Sequence, residues 1–453
     1  MMGERRVAQD SLFYEFRLEE HVPASHMLRA IDRFVDLTGL RVYLSSFYSS
    51  TGRPSVDPEL MIRMLIVGYC YGIRSERRLC EEVHLNLAYR WFCRLGLEGE
   101  VPDHSTFSKN RHGRFAESDL FRHLFEEVVA RCIAEGLVGG EGFAVDASLI
   151  EADASRQRSV AATEWKAPEA ASRSVREYLA MLEENTWGAA TEVQPKFISE
   201  PDPAAQWTAA RDGPAIFAYS DNYLIDLRSA IIVDVEASRS VRQAEVGAAK
   251  VMLERTADRF GLKPDRLAAD TAYGSAEMLN WLTEERNIAP HIPVIDKSAR
   301  RDGTFARADF RYDKSADAYI CPAGKSLATT GTLVNDGATL LYRGSTADCG
   351  QCQFKPRCSP NTPARKIPRS LYEGARDFAR SLADTPAFER SRRERKKVEM
   401  LFAHLKRILR LDRLRLRGPR GVRIEFLLAA TAQNLRKLAK LVTNTPSSAT
   451  QAA

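Results

Sequence analysis

Apolar residues recur along this chain with two different periods, and the point where the period changes divides it. Up to about residue 135 the spacing is helical. Asp57 can cap a helix that has Pro58 in its first turn and continues through Leu60, Met61, Ile62, Met64, Leu65, Ile66 and Val67. Ser75 can cap the next helix. Asp103 opens a short one over 103–111 that presents Ser105, Thr106, Lys109, Asn110 and Arg111, a surface suited to DNA, with hydroxyls on phosphates and Asn110 or Arg111 near bases, and equally to a solvated helix start. Beyond Gly139 and Gly140 the pattern shifts to short apolar runs bounded by polar residues. Residues 142–148 predict a short buried strand that ends at an acid, Asp146. Strands follow at 215–219 and 230–235, separated by polar turn residues, then a helix over 246–260 that stops at Gly261. The next strand, 265–270, again ends at an acid, Asp270; a helix over 276–285 and a strand over 289–294 come after it. Helices over 392–411 and 422–442, the latter amphipathic, close the pattern.

Two stretches break this rhythm. Residues from about 151 to 212 are rich in Ala, Ser, Glu and Pro, with a helical piece around 175–182, and read as an insertion. Residues 298–385 are rich in Gly and Pro, carry clustered cysteines and read as a second insertion. The expected organisation is therefore a helical domain over 1–135, an α/β core over 139–297 and 386–442, and a Cys-containing insertion between the two parts of the core. That core is a mixed sheet with flanking helices. The small polar tail, 443–453, reads as disordered, and no internal repeat is visible.

Composition adds little to this picture except in one region. Of 453 residues, 44% are hydrophobic and 28% charged, enough apolar surface for substantial cores. The net charge is only +6, but basic residues crowd between Lys355 and Lys440, which suggests a polyanionic partner, nucleic acid first. Arg413, Arg415 and Arg417 alternate within that region. No apolar run approaches a membrane span and no signal-peptide pattern opens the chain, so a cytoplasmic protein is expected. Cys70, Cys80, Cys93 and Cys132 fall within helical patterns as small core residues. Cys321, Cys349, Cys352 and Cys358 supply four soft ligands, one pair at knuckle spacing; structural Zn²⁺, free thiols and an iron–sulfur cluster are the competing uses.

The helix over 392–411 carries the densest candidate chemistry. Val398, Leu401, Phe402, Leu405 and Leu409 form its core-facing stripe, and Arg395, Glu399 and Lys406 share a neighbouring one. Alone, these charges also fit a solvated surface. Combined with Asp146 and Asp270 at strand ends they make a trio of carboxylates, which repel unless cations stand between them. Oxygen ligands without histidine favour Mg²⁺ or Mn²⁺ over zinc, and two such ions can clamp an in-line phosphoryl displacement. Ser220, Asp221, Asp234 and Tyr273 lie near this crevice by topology and read as turn and packing residues.

Three stretches resemble a known family: Val145-Asp146-Ala147-Ser148, Ala269-Asp270-Thr271-Ala272-Tyr273-Gly274, and the Arg395, Glu399, Lys406 spacing. They are similar to the DDE transposases of bacterial insertion sequences, in particular the group with a Tyr-Arg-Glu-Lys motif; Arg392 stands where that motif has tyrosine. Residues 57–114, with Asp103-His104-Ser105-Thr106-Phe107, resemble the domain preceding the catalytic core in these enzymes, and Thr431-Ala432-Gln433-Asn434-Leu435 resembles their closing helix. The resemblance implies a ribonuclease-H-like core in which Asp146, Asp270 and Glu399 hold two Mg²⁺ ions. It implies that Arg395 and Lys406 grip the DNA backbone beside the scissile bond. The implied reaction is cleavage at terminal inverted repeats and transfer of the freed 3′-OH to target DNA, with a homodimer synapsing two ends. A silent DNA-binding relative and a structure-specific nuclease of the same fold are the alternatives.

Overall fold

The computed structural model describes residues 16–49, 51–52, 55–184, 195–209, 213–295, 300, 302–335 and 337–442. The expected tail at 443–453 and parts of the first insertion fall outside them.

The helical layer forms where local capping and apolar spacing agree. Helix α1, Pro58–Tyr71, starts with the Asp57 carboxylate accepting from the Glu59 N–H at 3.0 Å, and its residues from Met61 to Cys70 are buried. Helix α2, His104–His112, is capped by Asp103, and α3, Leu120–Ala134, completes the layer.

The main sheet is mixed. Strand β1, Gly142–Glu151, pairs antiparallel with β3, Ala215–Asp226. On the far side of β3 lie β2, Gln206–Ala209, and β4, Ile232–Arg239, both antiparallel to it. On the other side of β1 lie β5, Arg266–Ala268, and then β6, Ala289–His291, both parallel. Helix α4, Arg173–Glu183, belongs to the first insertion, with a small hairpin of Ser159–Ala161 and Phe197–Ser199. Helix α5, Arg242–Phe260, covers β3 and β4 on one face through Ala249, Met252 and Leu253.

The strands are longer than their apolar runs. Asp146 stands in the middle of β1, not at its end, because residues as far as Glu151 remain paired with β3. The polar residues Ser220, Asp221 and Asn222, expected in a turn, are buried inside β3. Asn222 shows how: its Nδ2 donates to the carbonyls of Ser220 and Glu236 and to Ser238 Oγ, partners the linear pattern does not display.

The 298–385 stretch is not a run of loops. It holds a five-stranded antiparallel sheet ordered β11-β10-β9-β8-β7: β7 Arg311–Asp313, β8 Ala318–Ile320, β9 Ser326–Val334, β10 Thr339–Arg343 and β11 Lys366–Ser370. Its own small core is Phe310, Tyr319, Leu327, Tyr342 and Ile367. The strands escaped the sequence pattern because four of them have only three to five residues and β9 is mostly exposed.

Helix α6, Glu373–Ala383, leads into α7, Pro386–Arg407, which Thr385 caps by accepting from the Phe388 N–H. Helix α7 begins and ends earlier than expected. Arg410 takes a positive φ of 56°, and the Leu411 N–H donates back to the Leu405 carbonyl at 3.1 Å, a left-handed termination. The chain then runs alongside the end of β1, where Leu414 N–H donates to the Glu151 carbonyl at 2.8 Å.

The last helix, α8, Gly418–Val442, was expected to be amphipathic; instead every residue from Ile424 to Leu435 is buried. It lies between the helical layer (α1 and α3) and β4, so both sides of it are walls. Its polar residues are matched by the sheet: Asn434 accepts from the Ile232 N–H and donates to the Ile232 carbonyl, as a neighbouring strand would.

Candidate active site

Strand pairing brings the two aspartates together. Ala144 of β1 is in register with Ala268 of β5, and Asp146 and Asp270 each stand two residues further on. Equal offsets along parallel strands put their side chains next to one another at the same edge. Asp270 caps the turn that follows, its Oδ1 accepting from the Ala272 N–H at 2.7 Å. Gly274 is required here: a Cβ at that position would lie 2.0 Å from the Pro293 carbonyl oxygen, so only glycine lets this turn seat against the end of β6.

Glu399 arrives from α7. Val398, Phe402 and Leu405 anchor that helix, with Phe402 stacked on Tyr223 of β3 at 4.7 Å between ring centroids. Gln433 of α8 adds a second tie, accepting from the Tyr223 hydroxyl at 2.9 Å and donating to the Leu401 carbonyl at 2.8 Å. So fixed, α7 places Arg395 between two acids: its Nη1 is 3.0 Å from Asp146 Oδ2 and its Nη2 is 3.4 Å from Glu399 Oε1. Asp146 feels all of this. Burial lifts its carboxyl to about 6, and the neighbouring Asp270 and Glu399 push the same way, while the Ala147 N–H and Arg395 oppose them.

With Arg395 bridging, the Glu399 side chain remains 58% exposed. Among the described residues no three Asp, Glu, Cys or His side chains stand close enough to hold an ion in their present rotamers. The chemistry of the donors still fits a hard divalent cation: carboxylates from β1, from the turn after β5 and from α7 share one neighbourhood. The Tyr273 hydroxyl is buried there with no hydrogen-bond partner, and the acids raising its pKa after burial itself are Glu245, Asp146 and Asp270.

Glu245 was not singled out from the sequence. It sits in the first turn of α5, which begins four residues earlier than the apolar spacing indicates, and its Oε1 accepts from Ser220 Oγ at 2.7 Å. Burial raises its carboxyl and Asp270 adds to the rise. An acid in the first turn of a helix leaving a strand was the available signal.

The other candidate residues divide. Lys406 is half-buried, and burial lowers its pKa against the opposing charges of Asp221 and Asp412. Ser105 and Lys109 are exposed on α2 and Thr106 is half-buried. Arg111, expected to reach DNA, is buried instead, with Nη1 2.6 Å from Glu76, and the Asn110 amide donates to the Thr106 carbonyl. Both stay below the surface because α2 packs that side inward around Phe107. Arg413, Arg415 and Arg417 are exposed; Arg413 pairs with Glu151 and Asp153, and Arg417 with Asp153 at 2.9 Å.

Cys321, Cys349, Cys352 and Cys358 all line one cavity of about 30 Å³ in the second sheet. The Cys358 thiol is raised first by burial and then by the other three cysteines. No helix of the described residues is long and apolar enough to cross a membrane.

Comparison with protein-family models gives two matches. Residues 16–113 match the model described as Transposase domain (DUF772), and residues 320–439 match the one described as Transposase DDE domain. The second match includes Arg395, Glu399, Lys406 and all four clustered cysteines; Asp146 and Asp270 lie between the two.

Proposed function

On the premise that the chain is an insertion-sequence DDE transposase, as the two domain matches support, we propose that it binds terminal inverted repeats and catalyses metal-dependent DNA strand cleavage and strand transfer. The observation that carries this reading is that Arg395 bridges Asp146 and Glu399, while Asp270 lies near enough to Asp146 to raise its carboxyl further, the three acids coming from elements far apart in sequence. The order of the five principal strands, β4-β3-β1-β5-β6, with the first three antiparallel and the last two parallel, supports a ribonuclease-H-like core.

In this reading Asp146, Asp270 and Glu399 hold Mg²⁺ or Mn²⁺, two ions in all. The bound metal would generate a nucleophile from water or a 3′-hydroxyl and neutralise charge on the scissile phosphate. The protein's own part is positioning, which phosphoryl transfer chiefly requires. The rows of β1 and β5 hold the two aspartates at a fixed separation. The Phe402–Tyr223 stack and Gln433 fix the helix that carries Glu399. Arg395, already the counterion of Asp146 and Glu399, is placed to take a phosphate oxygen beside them. Exposed Ser105, Lys109 and Arg415, with Thr106, Arg413 and Arg417, would hold the duplex backbone further out, and Lys406 would grip the phosphate backbone nearer the scissile bond. Synapsis of two ends implies a homodimer. The four cysteines, which line one small cavity together with other residues, would hold a structural Zn²⁺ in the insertion after turning their side chains toward one point.

The test is cleavage and joining of DNA carrying the element's own ends, with Mg²⁺, by the full chain and by Asp146→Ala, Asp270→Ala and Glu399→Ala. Wild type should cut and join; each variant should do neither and still bind the ends. Variants that keep cutting would refute the site, whereas wild-type cutting without joining would favour a nuclease.

A further inference from the structure

Beside Asp270 the core and the insertion enclose a cleft of about 910 Å³ that the proposed chemistry does not use. It is lined from the first turns of α5 by Arg242 and Lys250 and from β11 by Lys366. Ala272 and Ser275, from the segment that Asp270 caps, form the end nearest the acids. Arg300, Arg307, Arg365 and Arg376 also line it, but their charges are engaged: Arg300 lies 4.0 Å from Asp302, Arg307 and Arg376 lie 2.6 and 2.8 Å from the buried Glu373, and Arg365 donates to the Cys358 and Phe305 carbonyls. Arg242, Lys250 and Lys366 make no ion pair within 4 Å among the described residues, although Arg242 is near enough to Glu245 to lower that acid's pKa and Lys250 stands 5.1 Å over the Trp281 ring. Glu277 is the one acid among the described lining residues.

Cations that line one cleft in excess of its acids, Glu277 in the lining and Glu245 near Arg242, repel one another until an anion enters. Arg242 and Lys250 are separated by about 12 Å along the helix at 1.5 Å per residue, which suits successive phosphates better than one small anion. The volume falls within the range of roughly 300–1,000 Å³ typical of pockets that enclose a ligand of a few residues or nucleotides, too little to enclose a duplex. We propose that this cleft binds a single DNA strand leading to or from the carboxylate site, held by Arg242, Lys250 and Lys366. The proposal rests on the transposase reading for its choice of DNA, and it names the path of one strand past the site.

The experiment uses the full chain, an arbitrary single-stranded oligonucleotide carrying an azidophenacyl photo-crosslinker on its phosphates, and a blunt duplex of the same length. Crosslinked peptides should come from 242–260 and 366–370. Reversing three charges, Arg242→Glu, Lys250→Glu and Lys366→Glu together, should weaken single-strand binding at least ~10-fold and lower the slope of log K against log salt by about 2, at roughly 0.7 per phosphate. Duplex affinity should stay within about twofold. Lys366→Glu alone, on an exposed strand position, should move single-strand binding the same way and covers the case in which the triple variant does not fold. Crosslinks mapping elsewhere, or unchanged single-strand affinity in either folded variant, would overturn the proposal. The oligonucleotide carries no element ends, so this result is independent of whether terminal repeats are cut.

Discussion

Arg395 and Asp146 illustrate what single residues contribute. The carboxylates of Asp146 and Glu399 would repel across the edge of the sheet; the guanidinium between them offsets that repulsion in the protein as it stands. The three candidate acids stood out in the sequence because short apolar runs lead up to Asp146 and Asp270, and because Glu399 shares a helical stripe with two cations. Glu245 and the buried Ser220, Asp221 and Asn222 were not, since a polar residue inside a strand looks like a turn until its partners from other strands are known. Another single residue sets a pH dependence. His112, at the end of α2, is held down to about 4, first by burial and then by Arg173 and Arg111. The unfolded chain, titrating near 6.5, therefore binds more protons between about pH 6.5 and 4, and stability should fall as pH falls through that window. His112→Gln should flatten this part of the stability curve by on the order of 2 kcal/mol after allowance for solvent screening, measured by urea unfolding across pH. A wild-type curve already flat there would refute the assignment.

At the scale of elements, patterning worked where an element is long and one-sided and failed where it is short or enclosed. Helices α1 and α7 and the strand-to-acid runs were recognisable from caps and spacing. The second sheet was not, because its three-residue strands cannot show alternation and its small core is built from residues that read as loop. The thiol cluster at one end of that sheet yields its own prediction. Purified protein should carry about one zinc per chain, and removing it with a chelator, or making Cys352→Ser, should raise hydrogen exchange across 311–370 while leaving α1 and α8 protected. Protein free of zinc, with the sheet equally protected, would show the thiols to be plain packing residues.

For the whole molecule the decisive element is α8, which the sequence presented as a surface helix and the structure places between two layers. Apolar positions on every side of a helix signify burial, but Glu425, Thr431, Gln433 and Asn434 interrupt the run and disguise it. Each of them answers a specific partner. Glu425, only 1% exposed, accepts from the Arg415 and Leu416 N–H groups and forms a buried ion pair with Arg74 of the helical layer. Glu425→Ala should strand that arginine and cost about 3–5 kcal/mol, seen as an earlier denaturant midpoint reported by both layers together. Separate transitions for the two layers would mean that they do not depend on this joint.

Because α8 is the shared wall of both layers and comes so late in the chain, neither can close on the ribosome until the residues after 418 have emerged. A frameshift or early stop anywhere upstream would then remove not a terminal segment but the partition the rest is built against, leaving an open hydrophobic face for proteases and chaperones to find.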